Sequence, residues 1–269
     1  MATPRTKSSG GETSGDRAGI FGTASGETQA PAWRRRLIER SLGETARRSL
    51  DRGFELVFAA ATLLESSQGD NFTVQDIADT AKQSLRTLYV HFEGKDDLLL
   101  AVFEEAMQAY ARVITEAIAT FDDPLERLAA AVYFSHRFAE RTTPGVSIGI
   151  AKLRTKLMNV APEQVAWAEV PRAALFARLV RAAADAGQIK VESADAATFL
   201  ILCLLDSLGL NRTLGNEYGL EMPGANQLVE FSLHGLQGAL PAGWQDRFEE
   251  CWERLPRLYS VAESLRERP

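Results

Sequence analysis

Cysteine is scarce in this chain of 269 residues: Cys203 and Cys251 are its two thiols. They are too few for a disulfide framework, and no C-x-x-C pair suggests zinc. Both fall in apolar helical stretches, where a free thiol packs as a small hydrophobe. Histidine is scarce too, and His91, His136 and His234 lie far apart in sequence without H-E-x-x-H spacing. No metal and no cofactor is expected. Long apolar runs are missing as well. None reaches the roughly 18 residues that span a bilayer, and the N-terminus has no apolar signal core. These absences predict a cytoplasmic protein without a membrane partner. Alternating strand patterns and internal repeats are also missing, which points away from β and α/β folds.

What remains is an ordinary globular composition, 45% hydrophobic and 25% charged, with a net charge of −6. That balance argues against nucleic acid until it is divided along the chain. Residues 1–52 hold ten Lys/Arg against six Asp/Glu, residues 53–100 three against eight, and residues 101–269 17 against 22. The positive excess sits in the first fifth. Within it, residues 1–32 are Gly/Ser/Thr-rich with almost no large apolar side chains, and read as a disordered tail.

From Trp33 onward the pattern is helical. A basic N-terminal helix is expected from Trp33, with a possible break at Gly43, and it ends at the turn-forming stretch 68–71. Asp122-Asp123-Pro124 opens a later helix. Further helices are expected at about 145–159, 162–186, 193–213, 224–240 and 243–265, with Pro171 kinking or breaking the second of these. The fold class is therefore all-α.

Between Thr73 and Leu99 two short helices and a third are joined by tight turns. Thr73 and Asp76 have capping-box spacing, with aspartate in place of the usual Glu/Gln. Val74, Ile77, Ala78 and Ala81 form an inner face. Ser84 can cap a second helix whose Leu88 and Phe92 face inward. Leu85, Arg86, Thr87, Tyr89 and His91 are left for the other faces. Arg86 suits a bidentate contact with guanine, and Leu85 a thymine methyl. Thr87, Tyr89 and His91 suit phosphates, and Lys95, opening a helix, can meet a phosphate together with backbone N–H groups.

Ile77-Ala78, then Thr87-Leu88-Tyr89-Val90-His91-Phe92, Glu93-Gly94 and Lys95, led by Thr73, resemble the DNA-binding domain of tetracycline-repressor-type (TetR) transcription regulators. Residues 50–105 carry the resemblance. It implies an N-terminal helix-turn-helix three-helix domain over residues 33–100 and a C-terminal helical ligand-binding and dimerisation domain over residues 101–269. It implies Gln75, Leu85 and Arg86 as base readers, and Thr73, Ser84, Thr87, Tyr89, His91 and Lys95 as phosphate contacts. It further implies a double-stranded DNA operator, a homodimer and a small-molecule effector as partners, with repression the more usual outcome. Lys82 stands where the family usually has glycine, at an expected cost of about 1 kcal/mol in a left-handed turn.

Three further readings follow. Trp33-Arg34-Arg35-Arg36 and Arg47-Arg48 form either an arm along DNA or a solvated basic face. The resemblance implies that the helices around 193–213 and 224–240 pair between protomers, with Gly209, Gly235 and Gly238 permitting close approach. His136, Arg137, Arg154 and Asn159 are candidate anchors for an apolar or amphipathic ligand. Two alternatives compete with the regulator. One is a helical scaffold or adaptor without DNA binding. The other is a serine hydrolase using Ser147, since Gly145–Gly149 matches G-x-S-x-G and is followed by Asp206 and His234; that elbow needs a strand ahead of it.

Overall fold

In the computed structural model, residues 33–34, 44–67, 71–141, 144–218 and 221–255 are described. The expected tail, the helix break at Gly43, Arg35, Arg36 and the chain beyond 255 lie outside them. Ten α-helices follow in order among the described residues. They are α1 (Glu44–Ser67), α2 (Val74–Thr80), α3 (Leu85–His91), α4 (Lys95–Ala117), α5 (Pro124–Arg141) and α6 (Pro144–Val160). After these come α7 (Pro162–Asp185), α8 (Ala194–Tyr218), α9 (Ala225–Gly235) and α10 (Trp244–Arg254). A 3-10 turn, Ile118–Thr120, ends α4. Prolines open α5, α6 and α7, where the first-turn N–H has no helical acceptor to lose.

Pro171 corrects the expectation of a break, because α7 runs through it from Pro162 to Asp185. The ring withdraws one N–H from the carbonyl of Trp167. Trp167 is exposed, so water can meet that carbonyl. Below it Val165, Ala168, Arg172, Leu175 and Phe176 are buried, and their packing holds the helix together across the missing bond.

Three helix ends share one hydrogen-bond pattern. After α2, Lys82 N–H bonds to Asp79 O at 3.1 Å and Gln83 N–H to Ala78 O at 2.9 Å. After α7, Gly187 and Gln188 repeat the pair on Ala184 and Ala183 at 2.9 and 3.0 Å. After α9, Gln237 and Gly238 repeat it on His234 and Leu233 at 3.1 and 2.9 Å. This is the Schellman motif, whose turning residue is left-handed. The φ values are 52° at Lys82, 70° at Gly187 and 54° at Gln237.

Two apolar clusters fill the molecule, and α4 belongs to both. The first joins Leu56, Val57, Ala60 and Leu64 of α1 to Ile77, Leu88, Phe92 and α4 from Leu98 to Met107. It also takes in Leu153 and Leu157 of α6 and Val165 and Ala168 of α7. The second holds the far end of α4 (Ile114, Ala117) with α5, the rest of α7, α8, α9 and α10. α10 closes this second core with Trp244, Phe248 and Trp252, spaced four residues apart on one face. The Phe248 ring lies edge-on to Phe121 at 5.2 Å and tilted to Tyr133 at 5.6 Å, and Trp252 lies edge-on to Phe138 at 5.0 Å. Arg137 binds Glu249 at 2.7 Å, and the Tyr133 hydroxyl donates to the same carboxylate. Over its described length α10 thus covers the core of its own chain.

Candidate nucleic-acid interface

α2 begins where the capping box predicts. Asp76 N–H donates to Thr73 Oγ1 at 3.2 Å, and Thr73 N–H donates to Asp76 Oδ2 at 2.7 Å. The Thr73 backbone N–H, and then its hydroxyl, donating to Asp76 Oδ2 hold that carboxyl below the usual carboxylate range. Ile77 and Ala78 are buried against α1 and α3. The chain then turns through the left-handed Lys82 and enters α3, capped by Ser84, whose Oγ accepts from Thr87 N–H at 3.0 Å. Ser84 Oγ also shares a 2.9 Å bond with Thr87 Oγ1. Lysine at the turn therefore leaves the helix-turn-helix geometry intact.

Three residues apart on α3, Leu88 and His91 point inward. Arg86, Tyr89 and Val90 form the outward face, with Tyr89 56% and Val90 63% exposed. Thr73, Gln75 and Ser84 are exposed, while Leu85, Thr87 and Lys95 are half-buried. Gln75 is engaged with Asp79 at 2.8 Å, so reading a base requires it to leave that carboxylate. Lys95 is also engaged. Its Nζ donates to Phe72 O at 2.5 Å and lies 4.5 Å from the Phe72 ring centre. The ammonium thereby ties the start of α4 to the residue before the α2 cap.

His91 departs from the sequence expectation of a phosphate contact. It is 7% exposed, with Nδ1 3.5 Å from Ser49 Oγ of α1. Burial, with a smaller contribution from the Arg52 charge, holds its pKa below the ordinary histidine value. The same three-residue spacing that buries Leu88 carries His91 inward and leaves Val90 on the surface, a residue sequence reasoning had not assigned. The proximity of Arg52 is informative in another way. It sets exposed Arg52 of α1 near the end of α3, adding positive charge from outside residues 53–100.

Trp33 and Arg34, read as a DNA arm or a solvated face, are neither. Trp33 is 1% exposed within the first core, and Arg34 makes a two-pronged ion pair with Glu105, both bonds at 2.9 Å. The contact spans 71 positions of sequence.

A second polar constellation lies between the helices of the C-terminal region. Arg172 of α7 binds Asp206 of α8 through two nitrogens at 2.6 and 3.1 Å, and Glu169 at 2.8 Å. Arg154 of α6 joins Glu169 at 2.8 Å and Asp206 at 3.4 Å. Tyr110 of α4 donates to Ser135 Oγ of α5 at 2.5 Å, and burial pushes its phenol up to about 12. Opposed charges inside a core offset one another's desolvation cost only when bonds are this complete. Of the candidate anchors, Arg154 enters this cluster. Arg137 is committed to α10, and Asn159 is exposed, bonded to Thr155 O of its own helix. His136 is buried with Nε2 2.9 Å from Pro223 O. Glu169 and Arg172 carried no sequence signal, because the cluster they form with Tyr110, Ser135, Arg154 and Asp206 is assembled from five helices.

The hydrolase reading finds no scaffold. Residues 145–149 lie in the first turns of α6, and no strand occurs among the described residues. Asp206 faces arginines, and His234 Nδ1 lies 2.8 Å from Glu230 O one turn back. No helix among the described residues is long and apolar enough to cross a membrane.

Comparison with known proteins agrees with this geometry. Residues 56–102 match the family model described as bacterial regulatory proteins, tetR family. The chain is 36% identical over 78 residues to the HTH-type transcriptional regulator HbdR of Aromatoleum sp. (strain CIB), a match covering 29% of this chain and 34% of that protein. The aligned part thus spans about a third of that relative's length. Among solved structures, RolR in complex with resorcinol superposes with a TM-score of 0.54 at 19% identity, covering 79% of this chain and 99% of that one. The fatty acid degradation regulator FadR from Bacillus halodurans gives 0.55 at 19% identity, covering 74% and 98%. At these identities the structural likeness establishes the fold: an all-α chain with an N-terminal helix-turn-helix domain followed by a helical C-terminal domain.

Proposed function

Because this chain carries the DNA-binding head of the tetR family of bacterial regulatory proteins, we propose that it is a ligand-responsive transcriptional regulator. It binds a palindromic operator as a homodimer and acts as a repressor. The observation that carries this reading is the exposed face of α3, with Arg86, Tyr89 and Val90 presented on a helix-turn-helix whose caps are complete. Arg86 and Leu85 read bases, assisted by Gln75. Thr73, Ser84, Thr87, Tyr89 and the N-terminal turn at Lys95 hold phosphates.

The dimer reading is supported by α8 and α9. Phe199, Leu200 and Cys203 form an exposed stripe on α8, and Phe231, 67% exposed, stands with His234 and Gly235 on the outer face of α9. Such large apolar side chains, gathered on two helices, suit burial against a second copy. Gly238 serves the protomer instead. A Cβ there would lie 3.0 Å from Ile189 Cγ2 and 3.3 Å from Leu125 Cδ1 of the same chain.

The effector is apolar or amphipathic. RolR, which shares this fold, has been solved with resorcinol. Here the Tyr110–Arg172 cluster sets a few polar groups in an otherwise apolar interior, the combination that orients small ligands. Release follows if the effector prefers an arrangement of α4 that misaligns the heads. A coupling of about 1–3 kcal/mol lowers operator affinity roughly 5–150-fold.

The test is selection of genomic fragments by the purified protein, with an Arg86→Ala/Tyr89→Phe control. Enrichment of a palindrome that the control loses is the expected result. A folded dimer that enriches no fragment, even after bound ligand is stripped, favours the adaptor reading and overturns this one.

A further inference from the structure

Ahead of α1, Trp33 and Arg34 return to the head and occupy its seam with α4. The Trp33 ring lies 5.9 Å from Phe54 of α1 and 6.3 Å from Phe92, which ends α3. Its backbone N–H donates to Glu104 Oε2 at 3.0 Å, and its indole N–H donates to Glu105 Oε1 at 3.0 Å. Arg34 covers both oxygens of Glu105, with its guanidinium 5.7 Å from the Phe54 ring centre. Both carboxylates are buried on α4. Two adjacent buried carboxylates are costly unless donors meet them, and this dipeptide supplies a backbone donor, an indole and a guanidinium. Even with Arg34 beside it, burial holds the Glu105 carboxyl above the usual carboxylate range.

This seat touches the three elements whose relative angle matters. α3 reads DNA, α1 supports it, and α4 runs from the head into the second core, so it is the helix that belongs to both. We propose that Trp33 and Arg34 are positioning residues, a latch that fixes the DNA-reading head at one angle on α4 and so sets the half-site spacing the dimer accepts. The proposal rests on the operator-binding reading above. Without the indole, Phe54 and Phe92 border a hole, and Glu105 loses a donor. The head then samples a range of angles about α4, and two heads no longer hold one separation. Arg34 is committed to Glu105, so the latch acts without contributing a phosphate contact.

The test uses the full chain with Trp33→Ala, the milder Arg34→Ala and the conservative Trp33→Phe. Amide hydrogen exchange is followed across the molecule. Affinity is measured for the selected operator and for versions with the spacer changed by one base pair. Trp33→Ala is expected to speed exchange in residues 85–105 at least about ten-fold while leaving α9 and α10 unchanged. Its preference for the native spacing should fall at least about five-fold, with the salt dependence of binding unaltered. Arg34→Ala should shift both readings in the same direction by less, and Trp33→Phe should keep both near wild type. Unchanged exchange in residues 85–105 overturns the latch. So does an equal affinity loss at every spacing, which marks a smaller folded fraction, or a flattened salt dependence, which marks Arg34 on DNA. If the wild type selects no operator, the regulator reading fails while the exchange result still decides whether the head is latched.

Discussion

Lys82 holds a φ of 52° and Gln237 one of 54°, while the same motif after α7 has glycine. A Cβ in the left-handed region is strained against its own carbonyl, so Lys82→Gly and Gln237→Gly should each stabilise the fold by about 1 kcal/mol. The check is the denaturant midpoint at unchanged slope; a lower midpoint would show that the side chains contribute more than the turn costs. His91 gives the molecule an acid sensitivity. Its folded pKa lies below 6.5, so its contribution to stability is complete above pH 6.5 and is lost as pH falls from there toward the folded value. The stability difference between wild type and His91→Gln should therefore shrink on acidification below 6.5, and a constant difference would show that His91 is not held neutral. The outward positions Arg86 and Tyr89 could be read from chemistry and spacing alone. Trp33 could not, since an aromatic residue beside arginines looks solvated until Glu104 and Glu105, some 70 positions away, are brought to it.

Among the helices, periodicity and punctuation located most boundaries, because a capping box, an N-terminal proline and a left-handed turn act within four residues. Pro171 shows the limit of local reasoning: one lost hydrogen bond is outweighed by the side chains α7 buries on either side of it. α10 shows the same from the other direction. Its charged sequence conceals a three-residue aromatic face whose partners lie on α5 and at Phe121. Phe248, fully buried among four aromatic rings, is its keystone. Phe248→Ala should cost about 3–5 kcal/mol, as buried phenylalanine truncations do. It should also loosen α5 along with α10 in hydrogen exchange. A loss confined to α10 would mean that the helix is an appendage.

For the whole molecule, the exposed apolar faces of α8 and α9 are where the proposed dimer is tested. Phe199→Glu with Phe231→Glu is expected to give a folded monomer in sedimentation, with operator affinity reduced at least about 100-fold as the second half-site is lost. A dimer that persists would place the two-fold interface elsewhere. The helix order and the reading head could be read from sequence. The ion cluster at Arg172 could not, because it is assembled from separate helices. Nor could the division of the interior, where the first core continues past residue 100 along α4 to Met107 and recruits Leu153, Leu157, Val165 and Ala168. That division bears on anyone wishing to graft this head onto another sensor. A chimera joined at residue 100 would strip the head of the side chains from α6 and α7 that complete its interior. The transplantable module is therefore a discontinuous one, the reading helices together with the patch of recipient surface on which they rest.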